Sequence, residues 1–416
     1  MFTYEEQPSL SDYFIGKPFK GLRPTINFTS KLIAPPYDVL SREQVKEIVR
    51  ENPDSFLRVS RAEVDFDECI NPYCDEVYQQ ASKNFNELLT SDIIRADEKN
   101  SFYVYKISSK HHAQTGLVFG ASISAYLEGR IKRHELTRQK KELDRIKQIE
   151  AVQAQTGPVM LIHRENKILK SILNKITLEK ASEINTILEN WQHELWVINN
   201  AQQVEQIQNH LNSIQELYIA DGHHRSAAAS KIFIKRKTQT TDCFLAVTFD
   251  ETELSILPYN RVVRDLNQLT ANEFLTKLSE TFEVNKITGD NFLNQKYCYF
   301  IYLEKSWYQL QLRQIPQDID NVLENLDTHI IEESILKPIL GIKDVRTDDR
   351  IDFVGGPQST GKIINLVDSA VMKIGIVLPT TAIGELIKIS DNGQLMPPKS
   401  TWFEPKLADG LVSLKI

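Results

Sequence analysis

Cysteine is scarce in this chain of 416 residues: Cys69, Cys74, Cys243 and Cys298 are too few and too scattered for a disulfide framework or a closed zinc site. Packing or surface thiols are expected instead. Long apolar runs are also lacking, so no segment is predicted to span a bilayer. The amino-terminal residues 1–6 carry neither the basic stretch nor the apolar core of a secretory signal. The expected compartment is the cytoplasm, with no membrane partner. There is no surplus of positive charge: 49 Lys and Arg against 56 Asp and Glu give a net charge of -7. That balance argues against nucleic acid as a partner, because such affinity rests on basic patches that neutralise phosphates. Internal repeats, low-complexity linkers and a dinucleotide fingerprint are missing. The run from Gly355 to Ile363 imitates a phosphate loop, but proline interrupts it and Ile363 stands where a metal-binding Ser or Thr belongs.

A content of 41% hydrophobic and 25% charged residues describes a globular chain with room for two or three domains. Its most informative segment is Leu217-Tyr218-Ile219-Ala220-Asp221-Gly222-His223-His224-Arg225, followed by an alanine-rich stretch. An apolar strand stops at an acid and a glycine, and a helix begins. Such a turn aims backbone N–H groups and the positive end of a helix dipole at one point, where an anion is held. Arg225 adds a permanently charged fork, and Asp221, His223 and His224 offer ligands for a metal or a proton. Singly, each has an ordinary explanation: Asp221 as a helix cap, Gly222 as a turn glycine, either histidine as a satisfied imidazole. Together they read as a phosphate site.

Elsewhere, Ala34-Pro35-Pro36-Tyr37-Asp38 forbids helix, and Ser41 then caps one. A helix is expected over 75–89. Strands 102–107 and 116–123 should form a hairpin around His111-His112. His134-Glu135 precedes a charged helix on which Leu143, Ile146 and Ile149 form a narrow apolar stripe, the charges reading as a solvated face. Glu135 either complements that helix's dipole or presents a carboxylate to a site. Strands 243–249 and 254–258 read as a pair, with Arg261 following. Near the carboxyl end, Met396-Pro397-Pro398-Lys399-Ser400-Thr401 is stiffened by prolines. Tyr37, Asp38, Arg261, Lys399 and Ser400 are candidates for supporting or substrate-contacting positions. A mixed α+β architecture in three parts is expected: 1–100, a core over 101–265 with an insertion around 156–200, and 266–416.

These motifs in combination, Ala34 to Val39, His134 to Thr137, Ala220 to Arg225 and Met396 to Thr401, resemble the family called domain of unknown function 1015 nearly end to end. The His-Glu segment followed by Asp-Gly-His-His-Arg is similar, more distantly, to the ParB and sulfiredoxin superfamily, and within it to the free serine kinases. That resemblance implies a ParB-like core and a phosphotransferase. Glu135, with His134 beside it, becomes the base that activates a hydroxyl, Asp221 a catalytic or metal ligand, and Gly222, His223, His224 and Arg225 the phosphate ligands. Mg²⁺ and ATP or ADP are the implied cofactors, and serine or phosphoserine the substrate. Hydrolysis of phosphoserine and a non-catalytic nucleotide-binding regulator are the alternatives. The chain departs in two ways: the span between Glu135 and Asp221 is longer than in compact kinases, and His223 replaces the cysteine of the sulfiredoxin turn, which removes cysteine chemistry.

Overall fold

A computed structural model of the chain describes residues 14–289, 292–317 and 321–416. The reading of residues 1–6 lies outside them. The chain is mixed α+β and divides into two compact units. One takes the described residues up to Arg133, then Thr137–Leu254 and Pro405–Ile416; the other takes His134–Leu136 and Ser255–Glu404. Among the described residues, no helix is long and apolar enough to cross a membrane.

The first unit is built on a nine-stranded sheet. Its strands in chain order are β1 (Gly16–Lys17), β2 (Phe102–Ser108), β3 (Ala113–Ser122), β4 (Ile131–Lys132), β5 (Val159–His163), β6 (Ile184–Leu188), β7 (Trp191–Ile198), β8 (Leu217–Asp221) and β9 (Cys243–Asp250). The spatial order is β4-β8-β5-β9-β3-β2-β7-β6, with β1 against β3. β2 and β3 form the expected hairpin, Tyr103 opposite Val118 and Ser108 opposite Ala113. β9 is buried along its whole length. It pairs antiparallel with β3 on one side and parallel with β5 on the other. Both its edges are therefore filled, which is why the expected pairing of 243–249 with 254–258 does not form. Ser255–Leu257 pairs instead with Trp402–Glu404 inside the second unit.

Side chains such as Leu117, Phe119, Leu161, Ile219 and Phe244 make one fully buried core of this unit. Each contributes roughly 1.5–3 kcal/mol by leaving water. Helix α1 (Arg42–Glu51) starts at a capping box made by Ser41 and Gln44, and α2 (Asp75–Thr90) buries Val77, Ala81 and Phe85. Helix α3 (Gln139–Val152) follows its predicted pattern only in part. Ile149 is buried with Ala228 and Ile232, Ile146 packs against them, and Arg138, Lys140 and Lys147 are exposed. Leu143, however, is 51% exposed, and Glu142, Asp144 and Gln148 are buried. These polar groups are satisfied by distant partners: Lys231 for Glu142, Tyr78 for Asp144, the Val59 carbonyl for Gln148. A small four-stranded sheet, 94–96, 21–24, 413–415 and 154–155 in that order, ties the carboxyl end into this unit.

The second unit holds a six-stranded antiparallel sheet, ordered 282–287, 306–312, 298–303, 374–377, 260–263 and 351–354. Helix Ala271–Thr281, capped by a Thr270–Glu273 box, buries Phe274 and Leu278 among Phe282, Tyr299, Ile301 and Leu310. The cysteines agree with expectation: all four are free, Cys243 and Cys298 buried and Cys69 exposed.

Candidate active site

Strand β8 ends at Asp221, with its register against β5 shifting between Ile219 and Asp221. Helix α4 (His223–Arg236) begins two residues later. Between them Gly222 is left-handed at φ 99. A Cβ there would lie 3.0 Å from Arg225 Nε and 3.2 Å from Val159 Cα, so both conformation and space require glycine. Gly222 is the N-cap and has no side chain to cap with. Its carbonyl accepts from the amides of Arg225 (2.9 Å) and Ser226 (3.0 Å). The positive end of a helix of 14 residues thus opens at the turn, and Lys235 and Arg236 complement its other end. Ala227, Ala228 and Ala229, all buried, let the helix lie close to the sheet.

Arg225 curls back over its own turn. Its Nη1 donates to the Pro158 carbonyl, and its Nη2 stands 3.7 Å from Asp221 Oδ1. Lys406, brought in by the returning carboxyl end, donates to Asp221 Oδ2 at 2.9 Å. Asp221 is therefore held between two cations, which fixes the direction of its carboxylate. Asp38, Tyr37 and Asp409 also lie within electrostatic range of Arg225. The loop Ala34–Asp38 reaches this place because Ala34 and Asp409 exchange backbone hydrogen bonds of 2.9 and 3.1 Å. Gly157 packs on the same group: a Cβ there would meet Asp409 Oδ1 at 2.9 Å.

A polar cleft of about 260 Å³ is lined by Tyr37, Asp38, Asp144 and Arg145 among others, and Tyr37 and Asp38 lie within electrostatic range of Arg225. Arg145 stacks on the Tyr37 ring at 3.8 Å and bonds Asp144 at 2.8 Å, while Asp144 accepts the Tyr78 hydroxyl at 2.9 Å. Burial pushes the Tyr37 phenol far above its ordinary value, against the pull of Arg145.

Asp409 is a further ionisable group of this cluster. It is 1% exposed, and among the described residues its Oδ1 has no hydrogen-bond partner. Burial raises its carboxyl from 3.8 to about 7, although Arg225 and Arg145 pull the other way. The folded carboxyl thus holds its proton more tightly than the unfolded one. Its stabilising contribution is full below about pH 4 and is lost as pH rises through about 7, with a steepest fall of about 1.4 kcal/mol for each pH unit crossed. An Asp409→Asn variant is expected to show a flatter fall of melting temperature between about pH 4 and 7 than the parent. Parallel slopes for the two proteins would refute this.

The sequence candidates divide between the units. Asp221, Gly222, His223, His224, Arg225, Tyr37 and Asp38 share the first unit, His223 buried and His224 half-buried. His134, Glu135, Arg261, Lys399 and Ser400 belong to the second. There the His134 carbonyl accepts from the Met396 amide at 2.8 Å. Arg261 is buried, donates to the Tyr259 carbonyl and lies 5.4 Å from the Phe353 ring; burial lowers its pKa to about 10. Lys399 stands 5.2 Å over the Tyr259 ring. Ser400 Oγ bonds Thr328 Oγ1 at 3.1 Å and the Pro397 carbonyl at 2.6 Å. Sequence reasoning missed Asp144, Arg145, Lys406 and Asp409. The excess of polar residues over apolar ones on α3 was the one signal available for the first two.

The model of a family described as "Protein of unknown function (DUF1015)" matches residues 17–329. No curated protein matches the chain. Among solved structures, the chain is similar to a free serine kinase mutant in complex with AMP, at TM-score 0.36 and 11% identity, covering 69% of this chain and 86% of that one. It is similar also to a conserved hypothetical protein from Pyrococcus furiosus, at TM-score 0.35 and 13% identity, covering 72% and 94%. A third is SbnI with C-terminal truncation from Staphylococcus aureus, at TM-score 0.37 and 10% identity, covering 71% and 87%.

Proposed function

The chain belongs to the DUF1015 family, and on that footing we propose that it is a phosphotransferase with a ParB-like core, moving phosphate from ATP or ADP to a small hydroxylated metabolite, serine foremost. The observation that carries the proposal is the left-handed Gly222 at the head of α4, with Arg225 folded back beside it. Backbone amides, a helix dipole and a guanidinium converge on one turn, which is what phosphoryl transfer asks of a protein: positioning and the offsetting of negative charge.

In this reading the nucleotide phosphates rest on Gly222, His223, His224 and Arg225. Mg²⁺ suits the donor set, since it binds through one or two carboxylates together with substrate phosphates, and Asp221 supplies such a carboxylate at the turn. The metal would neutralise charge on the phosphates. Glu135 accepts the proton of the acceptor hydroxyl as its oxygen attacks the terminal phosphorus, and the shortened nucleotide leaves.

The test is a screen of hydroxylated amino acids with ATP, with ADP and without nucleotide. Phosphoserine formed with loss of nucleotide is the expected result. Inorganic phosphate released from phosphoserine without nucleotide would make water the acceptor, and tight nucleotide binding with no product would make the protein a regulator.

A further inference from the structure

The polar cleft carries charges that the fold leaves unmatched. Of the six charged side chains lining it, four are paired: Arg61 with Glu63 at 2.6 Å and Arg145 with Asp144 at 2.8 Å. The remaining two are Asp38 and Lys141. Lys141 Nζ bonds only the Tyr73 hydroxyl, at 3.3 Å, among the described residues. Asp38 is exposed, and its carboxylate has neither a hydrogen bond nor an ion pair among the described residues, so the two do not pair with each other. One carboxylate and one ammonium thus face the same cavity, each with its bonding capacity open.

We infer that this cleft is a binding site for a free α-amino acid in its zwitterionic form, ammonium on Asp38 and carboxylate on Lys141. The lining has no net charge, which suits a ligand of zero net charge and disfavours a polyphosphate. At about 260 Å³ the cleft holds the volume of about nine waters at roughly 30 Å³ each, below the range of drug-sized pockets. A small metabolite fits it, and a nucleotide does not. Asp38 lies within electrostatic range of Arg225, so an amino acid held on Asp38 would share the electrostatic field of the phosphate turn. What becomes of the amino acid rests on the phosphotransferase reading; its binding does not.

The test is calorimetry on the full chain without nucleotide, with L-serine, glycerate (no ammonium) and ethanolamine (no carboxylate). L-Serine is expected to bind the parent. Asp38→Asn and Lys141→Met are each expected to weaken it by about ten- to hundredfold, the worth of one hydrogen bond to a charged group. Asp38→Asn should leave glycerate binding as in the parent, and Lys141→Met should leave ethanolamine binding unchanged; a merely structural role would move all three ligands together. Neither side chain is buried, so melting temperatures should hold. L-Serine binding both variants as tightly as the parent, or not binding the parent at all, would overturn the inference. Transfer to serine at parental rates in both variants would sink the cleft and leave the phosphotransferase standing. Serine binding with no transfer from any nucleotide would do the reverse.

Discussion

A Glu135→Gln variant is expected to bind nucleotide as the parent does and to transfer phosphate about 10²- to 10⁴-fold more slowly, the usual contribution of a positioned general base. Glutamine keeps the size and hydrogen-bonding reach of glutamate but cannot take a proton. Glu135 is half-buried in the irregular stretch between β4 and α3, outside any core cluster, so the substitution should leave melting temperature unchanged. Phosphoryl transfer rests mainly on charge and positioning, and removing the base alone should therefore slow the reaction without abolishing it. Single-turnover measurement of nucleotide consumption, with nucleotide affinity and thermal unfolding as controls, decides the matter. A folded variant that transfers at the parental rate would remove Glu135 from the chemistry and leave the turn at Gly222 as a nucleotide-binding element only.

The parts of the site that could be read from sequence are those whose physics is local. Gly222 announces itself because a strand, a glycine and a helix start follow within a few residues, and the left-handed conformation at φ 99 confirms what that order implies. The capping box at Ser41 is local in the same way. Helix α3 is the opposite case. Its 3.6-residue pattern points to Leu143, Ile146 and Ile149, of which Ile149 is buried and Ile146 packs beside it while Leu143 is exposed. The helix also buries Glu142, Asp144 and Gln148, because their partners Lys231, Tyr78 and Val59 come from other elements. No window of α3 contains those partners. The pairing of Lys406 with Asp221 spans 185 residues and depends on the carboxyl end returning to the first unit, which composition and periodicity do not encode. The strand at 255–257 was recognisable, but its partner depended on which edges of β9 were already filled.

Arg225 joins local and distant parts of the site, and its removal should be felt in both. Arg225→Ala is expected to weaken nucleotide binding by at least about a hundredfold, since the proposed function makes its guanidinium a phosphate ligand. It should also cost about 3–5 kcal/mol of stability, as is usual when one member of a buried charged group is deleted. The guanidinium bonds the Pro158 carbonyl and flanks Asp221, and it is the largest electrostatic influence opposing the rise of Asp409. Without it, Asp221 retains Lys406, but Asp409 loses a cation, and its carboxyl should climb further above 7. A protonated Asp409 needs no counter-charge, whereas an ionised one does. The stability loss is therefore expected to be larger at pH 8 than at pH 5, because at pH 5 the carboxyl stays neutral with or without Arg225. Arg225→Lys separates the two effects. It restores a charge beside Asp409 and should recover most of the pH 8 stability, but it lacks the planar fork and should remain about tenfold or more weaker for nucleotide. Urea unfolding of both variants at the two pH values, with nucleotide titrations alongside, tests this. Equal losses at pH 5 and pH 8 would show that Arg225 does not set the ionisation of Asp409.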